Sequence, residues 1–276
     1  MSGNVSHIGR DDVGSETDGE RTASAPAVVR SLRILDFLAE SHGQVRSLSD
    51  IARELGIAKS STSNLCAALE DGRLIRRTSG GYLLGRRTVE LGSSYLSTFD
   101  QVREFYRICE DSPALSSQLV QIAMLDGPRV LYLAVFEGHE RFPLSASVGD
   151  RYPASATAVG KALLSELDPN EIDRLFADGR HIVTFTPEST ATLTELQQKL
   201  SATRQQGFAV DAGEVHPSVV GLAVLVPSSR ASDPSFAIGV SLVFPDNTAA
   251  QQAIAVEALR SAAAQLTTPL LVSESI

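Results

Sequence analysis

The chain has 276 residues, 43% of them hydrophobic, and a net charge of −9. That is enough apolar material for real cores, which excludes wholesale disorder, and the longest apolar runs, Val219 to Val226 and Phe236 to Phe244, fall far short of the ~18 residues a membrane span needs. The charge is uneven: residues 27–87 hold ten basic and six acidic residues, residues 88–276 twelve and twenty-two, so one basic segment able to meet phosphate sits inside an acidic chain.

Residues 1–26 are rich in Ser, Gly, Asp and Thr. They lack a basic-then-apolar signal segment and have too little apolar surface to fold, so a disordered tail is expected there. The cysteines are Cys66 and Cys109, with no CxxC pair, which points away from a disulfide framework and towards a reducing cytoplasm.

Val28, Leu32, Leu35 and Leu38 recur at helical spacing, predicting an amphipathic helix over residues 27–40 that stops at His42-Gly43. A short helix follows, with Ser47 or Ser49 as its cap, Ile51 and Leu55 inside, a small Ala52 at a crossing, and Gly56 where a left-handed cap favours glycine. The next helix runs from about Lys59 to Leu69, with Thr62, Leu65, Cys66 and Leu69 on one side and Ser60, Ser63, Asn64 and Ala67 on the other. Short helix, glycine turn and second helix form the helix-turn-helix pattern. A solvated helix usually carries Glu and Lys outside; this polar, small, uncharged face suits a DNA groove, where Asn reads adenine and Ser bonds either partner. Leu74 to Arg77, a Ser79-Gly80-Gly81 turn and Tyr82 to Leu84 predict a β-hairpin wing. Lys59, Arg76, Arg77 and Arg86 are expected to hold phosphates and set register, Ser60, Ser63 and Asn64 to touch the bases, and Ser61 to belong to the same DNA-binding set.

Residues 27–97 resemble the DNA-binding half of IclR-type transcriptional regulators. The resemblance rests on Arg30-Ser31-Leu32-Arg33-Ile34-Leu35, the Leu48 to Ile57 helix and turn, Lys59-Ser60-Ser61-Thr62, and Gly81-Tyr82-Leu83-Leu84-Gly85. Ala58 stands where the family often has Pro, and Asn64 where it often has Arg in the recognition helix, so the base preference is expected to differ.

Thr88 to about Tyr106 carries Val89, Leu91, Tyr95, Leu96, Phe99 and Val102. This predicts a linker helix, over residues 88–106, that bends into the next domain. The resemblance implies that it packs against its twin in a homodimer, with a dimer of dimers beyond it. A two-fold dimer also spans two half-sites of a double-stranded operator roughly 34 Å apart. From residue 107 onward the pattern mixes strands and helices: a hairpin of Leu119–Leu125 and Arg129–Val135, a helix over Pro153–Leu167 capped by Thr157, a helix over Leu193–Gln206, strands at Phe208–Val210, Gly221–Val226 and Phe236–Phe244, and a closing helix over Ala249–Leu266. The predicted class is α+β around an antiparallel sheet.

The resemblance extends here through Thr157-Ala158-Val159-Gly160-Lys161-Ala162-Leu163-Leu164 and Gln206-Gly207-Phe208-Ala209-Val210-Asp211 with Glu214, and covers roughly residues 27–268. It implies a GAF-like domain that binds a small-molecule effector, often an organic acid, in a pocket lined by Tyr152, Ala158, Val159, Asp211, Gly221 and Ser241. Gly221 replaces a frequent Cys and Val243 a frequent Ser, so a roomier, less polar pocket and a bulkier or more hydrophobic effector are expected.

No other motif carries chemistry. Gly160-Lys161-Ala162 lacks the flanking residues of a phosphate loop, and Lys161 is expected at the surface or a pocket edge. His7, His42, His139, His181 and His216 form no local zinc pair. His216 reads as a loop residue. No Gly-Xaa-Ser-Xaa-Gly elbow marks a nucleophile, and Asp168 with Glu171 reads as a helix start. A regulator without cofactor, metal or enzymatic activity is therefore expected. The rivals are a metabolite-binding enzyme with a vestigial DNA-binding domain and a protein-interaction module.

Overall fold

The computed structural model describes residues 25–138, 146–228, 233–243 and 248–267, so the expected tail, but for its last two residues, and Phe244 lie outside the described residues. The chain divides into two compact units, residues 1–93 and 94–276.

The first unit holds α1 (Pro26–Glu40), α2 (Leu48–Leu55), α3 (Lys59–Asp71) and the hairpin β1 (Ile75–Thr78) with β2 (Gly81–Leu84). Ser47, not Ser49, caps α2: its hydroxyl accepts from the Asp50 N–H at 3.1 Å, and the Asp50 carboxylate accepts from the Ser47 N–H at 3.2 Å, a closed capping box. Gly56 ends α2 in the left-handed region at φ +66°, as the glycine turn requires. Ile34, Leu38, Ile51, Leu55, Cys66, Leu69, Ile75 and Tyr82 form the core. The apolar stripe expected on α1 is only half right. Val28 and Leu32 are exposed, and the buried residues are Ile34 and Leu38, because the core covers only the C-terminal half of that helix. Arg46 pairs its backbone with Tyr82 beside the hairpin, and a Cβ at Gly81 would stand 2.1 Å from the Arg46 carbonyl oxygen. That approach demands glycine in the wing turn.

The linker segment is two helices, α4 (Arg87–Leu96) and α5 (Asp100–Asp111). The hydroxyls of Ser97 and Thr98 donate back to the carbonyls of Ser94 and Tyr95 at the break, a local bond that competes with helix continuation.

The second unit is built on β3 (Leu119–Asp126), β4 (Arg129–Glu137), β5 (Arg151–Pro153), β6 (Ala209–Ala212), β7 (Val219–Val226) and β8 (Phe236–Val243). The sheet order is β5-β4-β3-β8-β7-β6, antiparallel throughout. Its other helices are α6 (Ala158–Leu164), α7 (Pro169–Phe176), α8 (Leu193–Gln206) and α9 (Ala249–Thr267). One face of the sheet is bulky: Val120, Ile122, Leu222, Val224, Ile238 and Val240 pack with Phe105 and Ile108 of α5 and Leu259 and Leu266 of α9. The other is small, with Ala123, Ala209, Ala223 and Ala237 packed with Ala158, Val159 and Ala162 of α6. A Cβ at Gly239 would lie 2.7 Å from the Val159 side chain. The small face thus exists to let α6 lie close on the strands.

Two expectations need correction. The helix read over Pro153–Leu167 is only Ala158–Leu164; Thr157 does cap it, accepting from the Gly160 N–H at 3.1 Å. Pro153 instead ends β5, which pairs with Arg129–Leu131 at the sheet edge, where a residue without an N–H is tolerated. The strand read over Phe208–Val210 is Ala209–Ala212. Helix α7 and strand β5 were not anticipated as elements, although Asp168 does cap α7 through the Asn170 N–H.

A Cβ at Gly160 would stand 2.2 Å from the Ala154 carbonyl oxygen and 2.4 Å from the Ala154 Cα. Gly160→Ala must push α6 off the loop that precedes it and is expected to destabilise the second unit by about 1–3 kcal/mol, read as a lower urea midpoint for that unit. A midpoint equal to wild type would mean that the loop yields freely.

Candidate nucleic-acid interface and ligand site

In the first unit, Lys59, Ser60, Ser61, Ser63, Asn64 and Ala67 of α3 are all exposed, while Thr62, Cys66 and Leu69 are buried. The outer face therefore carries no acid between Lys59 and Ala67. Ala58, the residue preceding the helix, offers no side-chain cap. The first N–H groups of α3 are thus not covered by a side chain, beside the ammonium of Lys59, and such a terminus favours an anion. Arg76 and Arg77 are exposed on β1 and Arg86 is exposed before α4. Arg76 and Arg77 are consecutive on a strand, so their side chains leave on opposite faces. Arg77 lies over the Tyr82 ring, 5.9 Å from its centroid. Arg46, which the sequence reading did not single out, is held inward by a bond from its Nε to the Ser41 hydroxyl at 2.7 Å and by the Phe37 ring. It braces the wing.

In the second unit, five of the six expected ligand residues converge on the small face of the sheet. Asp211, Gly221 and Ser241 are register partners across β6, β7 and β8. From α6, Ala158 lies against Gly221 of that row and Val159 against the neighbouring Gly239. Tyr152 stands apart on β5, at the opposite edge of the sheet order. There its ring meets that of Tyr132 of β4 edge-on at 5.9 Å. Gly221 leaves no vacancy, contrary to the roomier pocket expected of it: a Cβ there would lie 3.2 Å from the Asp211 Cβ and 3.3 Å from the Ala158 Cβ. Its smallness is filled by its neighbours. Val243 pairs with Val219 at the end of the sheet. Two polar residues on this face were missed. Gln121 donates from Nε2 to the Ser241 hydroxyl at 3.3 Å, and Tyr132 is buried beside Tyr152. Period-two alternation along β3 and β4 was the signal that could have placed them.

Behind the row lies a buried ionic network. Lys161, expected at a surface or pocket edge, is wholly enclosed at 0% exposure. Its ammonium donates to Glu214. Glu214 also meets the Lys199 ammonium at 3.0 Å and accepts from the Thr190 N–H at 3.1 Å and the Thr190 hydroxyl at 2.7 Å. Burial pushes the Glu214 carboxyl up, but Lys161, Thr190 and Lys199 together carry it below its ordinary value, so it is ionised. No local pattern signals this pairing, because the partners are 53 positions apart. His216 sits in the turn after Glu214 and accepts from the Ser218 N–H at 3.2 Å, the loop role expected of it.

A winged helix with an open, polar face on α3, followed by an antiparallel-sheet domain, is the architecture of a DNA-binding transcriptional regulator. Comparison with known proteins agrees. Residues 27–79 match the IclR helix-turn-helix domain, and residues 93–268 match the bacterial transcriptional regulator IclR C-terminal domain. The chain belongs to the IclR family of bacterial transcriptional regulators. It is 30% identical over 202 residues to the HTH-type transcriptional regulator XynR of Escherichia coli K12, covering 72% of this chain and 79% of XynR. It is 25% identical over 198 residues to the transcriptional repressor IclR of the same organism, covering 70% and 71%. An IclR homolog from Microbacterium hydrocarbonoxydans shares the fold at a TM-score of 0.74 and 21% identity, covering 88% of this chain and 98% of that one.

Removing one partner of a buried ion pair strands the other. Lys161→Met is therefore expected to destabilise the second unit by roughly 3–5 kcal/mol, and Lys161→Met combined with Glu214→Leu by less than Lys161→Met alone. Urea unfolding of the three proteins checks this; losses that simply add would show that the two residues act independently.

Proposed function

We propose that this regulator binds its operator as a homodimer in the cytoplasm, and that an organic acid or related metabolite bound on the C-terminal sheet sets the operator affinity, without chemistry of the protein's own. The observation that carries the DNA half is the face of α3: Ser60, Ser61, Ser63 and Asn64 exposed together, with Lys59 at the helix start and Arg76, Arg77 and Arg86 nearby in sequence. Asn64 and the serines suit base edges, and the cations suit phosphates. Dimerisation is supported by α4, in which no residue is buried and Val89, Leu91 and Tyr95 stand exposed. Apolar surface of that kind on a linker calls for a partner, and a two-fold pair would present two recognition helices to two half-sites. The effector half is supported by the convergence of Ala158, Val159, Asp211, Gly221 and Ser241, and by the homolog from M. hydrocarbonoxydans, which was solved with 4-hydroxybenzoate. Effector control requires that the ligand favour one DNA-binding arrangement over another. Among the described residues no helix is long and apolar enough to cross a membrane.

The test is binding of the purified protein to a fluorescent fragment from upstream of its own gene, against scrambled DNA, over a salt series and with keto acids or aromatic acids added. Specific binding that weakens steeply with salt and shifts with at least one acid is the expected result. Equal affinity for both DNAs would refute the operator reading. Asn64→Ala should lose about 1–3 kcal/mol of discrimination between the two fragments. Lys59→Ala and Arg76→Ala should each weaken binding to both fragments alike and lower the salt slope by about 1.

A further inference from the structure

The segment before α2 brings a cation to the corner where the wing and the helix-turn-helix meet. Arg46 directly precedes Ser47, the cap of α2. Its backbone exchanges two hydrogen bonds with Tyr82 of β2: the Arg46 N–H donates to the Tyr82 carbonyl at 3.1 Å, and the Tyr82 N–H donates to the Arg46 carbonyl at 2.8 Å. Val45 meets the wing turn beside it, where a Cβ at Gly80 would lie 3.3 Å from the Val45 side chain. Tyr82 also pairs with Arg77 of β1. Arg46, Tyr82 and Arg77 thus form one row across the wing, and their side chains leave on the same face.

The guanidinium of Arg46 is held in place, yet its outer donors are open. Nε donates to the Ser41 hydroxyl at 2.7 Å, and that hydroxyl donates to the Phe37 carbonyl at 2.7 Å. The guanidinium carbon stands 5.4 Å from the centroid of the Phe37 ring. Both contacts come from α1 and fix the inner edge of the fork. Neither Nη group has a hydrogen-bond partner or a carboxylate among the described residues, and the residue is half-exposed. The nearest acid along the chain, Asp50, is engaged with Ser47 and, at 2.6 Å, with Arg53. A long cationic side chain has therefore been ordered without a counter-charge, and ordering it costs rotamer entropy.

We propose that Arg46 is a phosphate-binding residue of the operator interface, its two Nη groups gripping one backbone phosphate between the wing turn and the start of α2. This rests on the DNA-binding reading of α3 above. In a helix-turn-helix the second helix enters the groove while the first crosses the nucleic-acid backbone, so the residue just before α2 stands where a phosphate passes. An arginine fork matches two phosphate oxygens. Because Ser41 and Phe37 already hold the guanidinium, little freedom is lost when the phosphate arrives. The contact reads no base. With Arg77 on the same face of the wing, it grips the backbone at a second point and fixes how the wing lies, independently of what Asn64 and the serines read.

The experiment measures binding of the full-length protein to the upstream fragment and to scrambled DNA, from about 50 to 200 mM salt, for wild type, Arg46→Met, Arg46→Lys and Ser41→Ala. Arg46→Met keeps an apolar stem over Phe37 and removes the charge. It should weaken binding to both DNAs alike, by about threefold to tenfold, and lower the salt slope by about 1. Arg46→Lys should keep the wild-type slope and recover only part of the affinity, since an ammonium has no fork. Ser41→Ala frees the guanidinium without removing its charge, so affinity should fall about threefold at an unchanged slope. A wild-type slope in Arg46→Met means that Arg46 only braces the wing, and overturns the proposal. So does a loss confined to one of the two DNAs, or full affinity in Arg46→Lys. Should Arg46→Met fail to fold, phenylglyoxal modification of the wild-type protein, read by mass spectrometry, decides: DNA should protect Arg46, and equal modification with and without DNA overturns the proposal. Wild-type protein that binds neither DNA would sink the DNA-binding reading itself, an outcome distinct from a wild-type slope in the variant.

Discussion

An ammonium enclosed by protein has to be met by an anion, because taking it out of water unpaired costs several kcal/mol. Lys161 imposes that condition on the C-terminal domain. Its answer is Glu214, and Glu214 in turn draws in Lys199 of α8 and both polar groups of Thr190. One side chain therefore ties α6, the turn after β6, α8 and the segment before α8 into a single rigid corner. Ser189 reinforces it by donating to the Glu214 carbonyl at 2.6 Å. Asp211 stands three positions before Glu214 and accepts that residue's N–H. The row of Asp211, Gly221 and Ser241 is thus anchored directly on the ionic corner.

The second constraint is steric. Helix α6 lies on strands whose facing residues are Ala and Gly, and the bulkier residues of the same strands are turned to α5 and α9. Close approach leaves little room, which is why Gly221 is packed by Asp211 and Ala158 rather than open.

The two units divide the electrostatic work. Residues 27–87 of the N-terminal unit carry an excess of basic residues and α3 exposes a face without acids from Lys59 to Ala67; the C-terminal unit carries the acidic excess and buries Lys161 and Glu214. Net negative charge outside residues 27–87 disfavours phosphate there, which favours approach of DNA to the basic segment.

The helix-turn-helix was legible in the residues themselves. Its signals are local: a serine and an aspartate three apart, a glycine at a left-handed cap, an apolar stripe on α3, and glycines in the wing. Thr157 as a cap and most of the strands were legible for the same reason. Local reading failed where partners are distant. Pro153 looked like a helix start, yet pairing with Arg129 makes it the end of an edge strand. Val28 and Leu32 match a core stripe, yet nothing in their own unit covers them. Lys161 looked like a surface lysine until Glu214 was brought to it. By itself, then, the sequence determined the DNA-binding unit, the mixed α+β class of the rest and the family, because periodicity, caps and motifs act over a few residues. Only the tertiary structure decided which polar side chains are enclosed, which are paired and which keep an open atom, because burial and charge pairing depend on residues that the chain brings together from far apart.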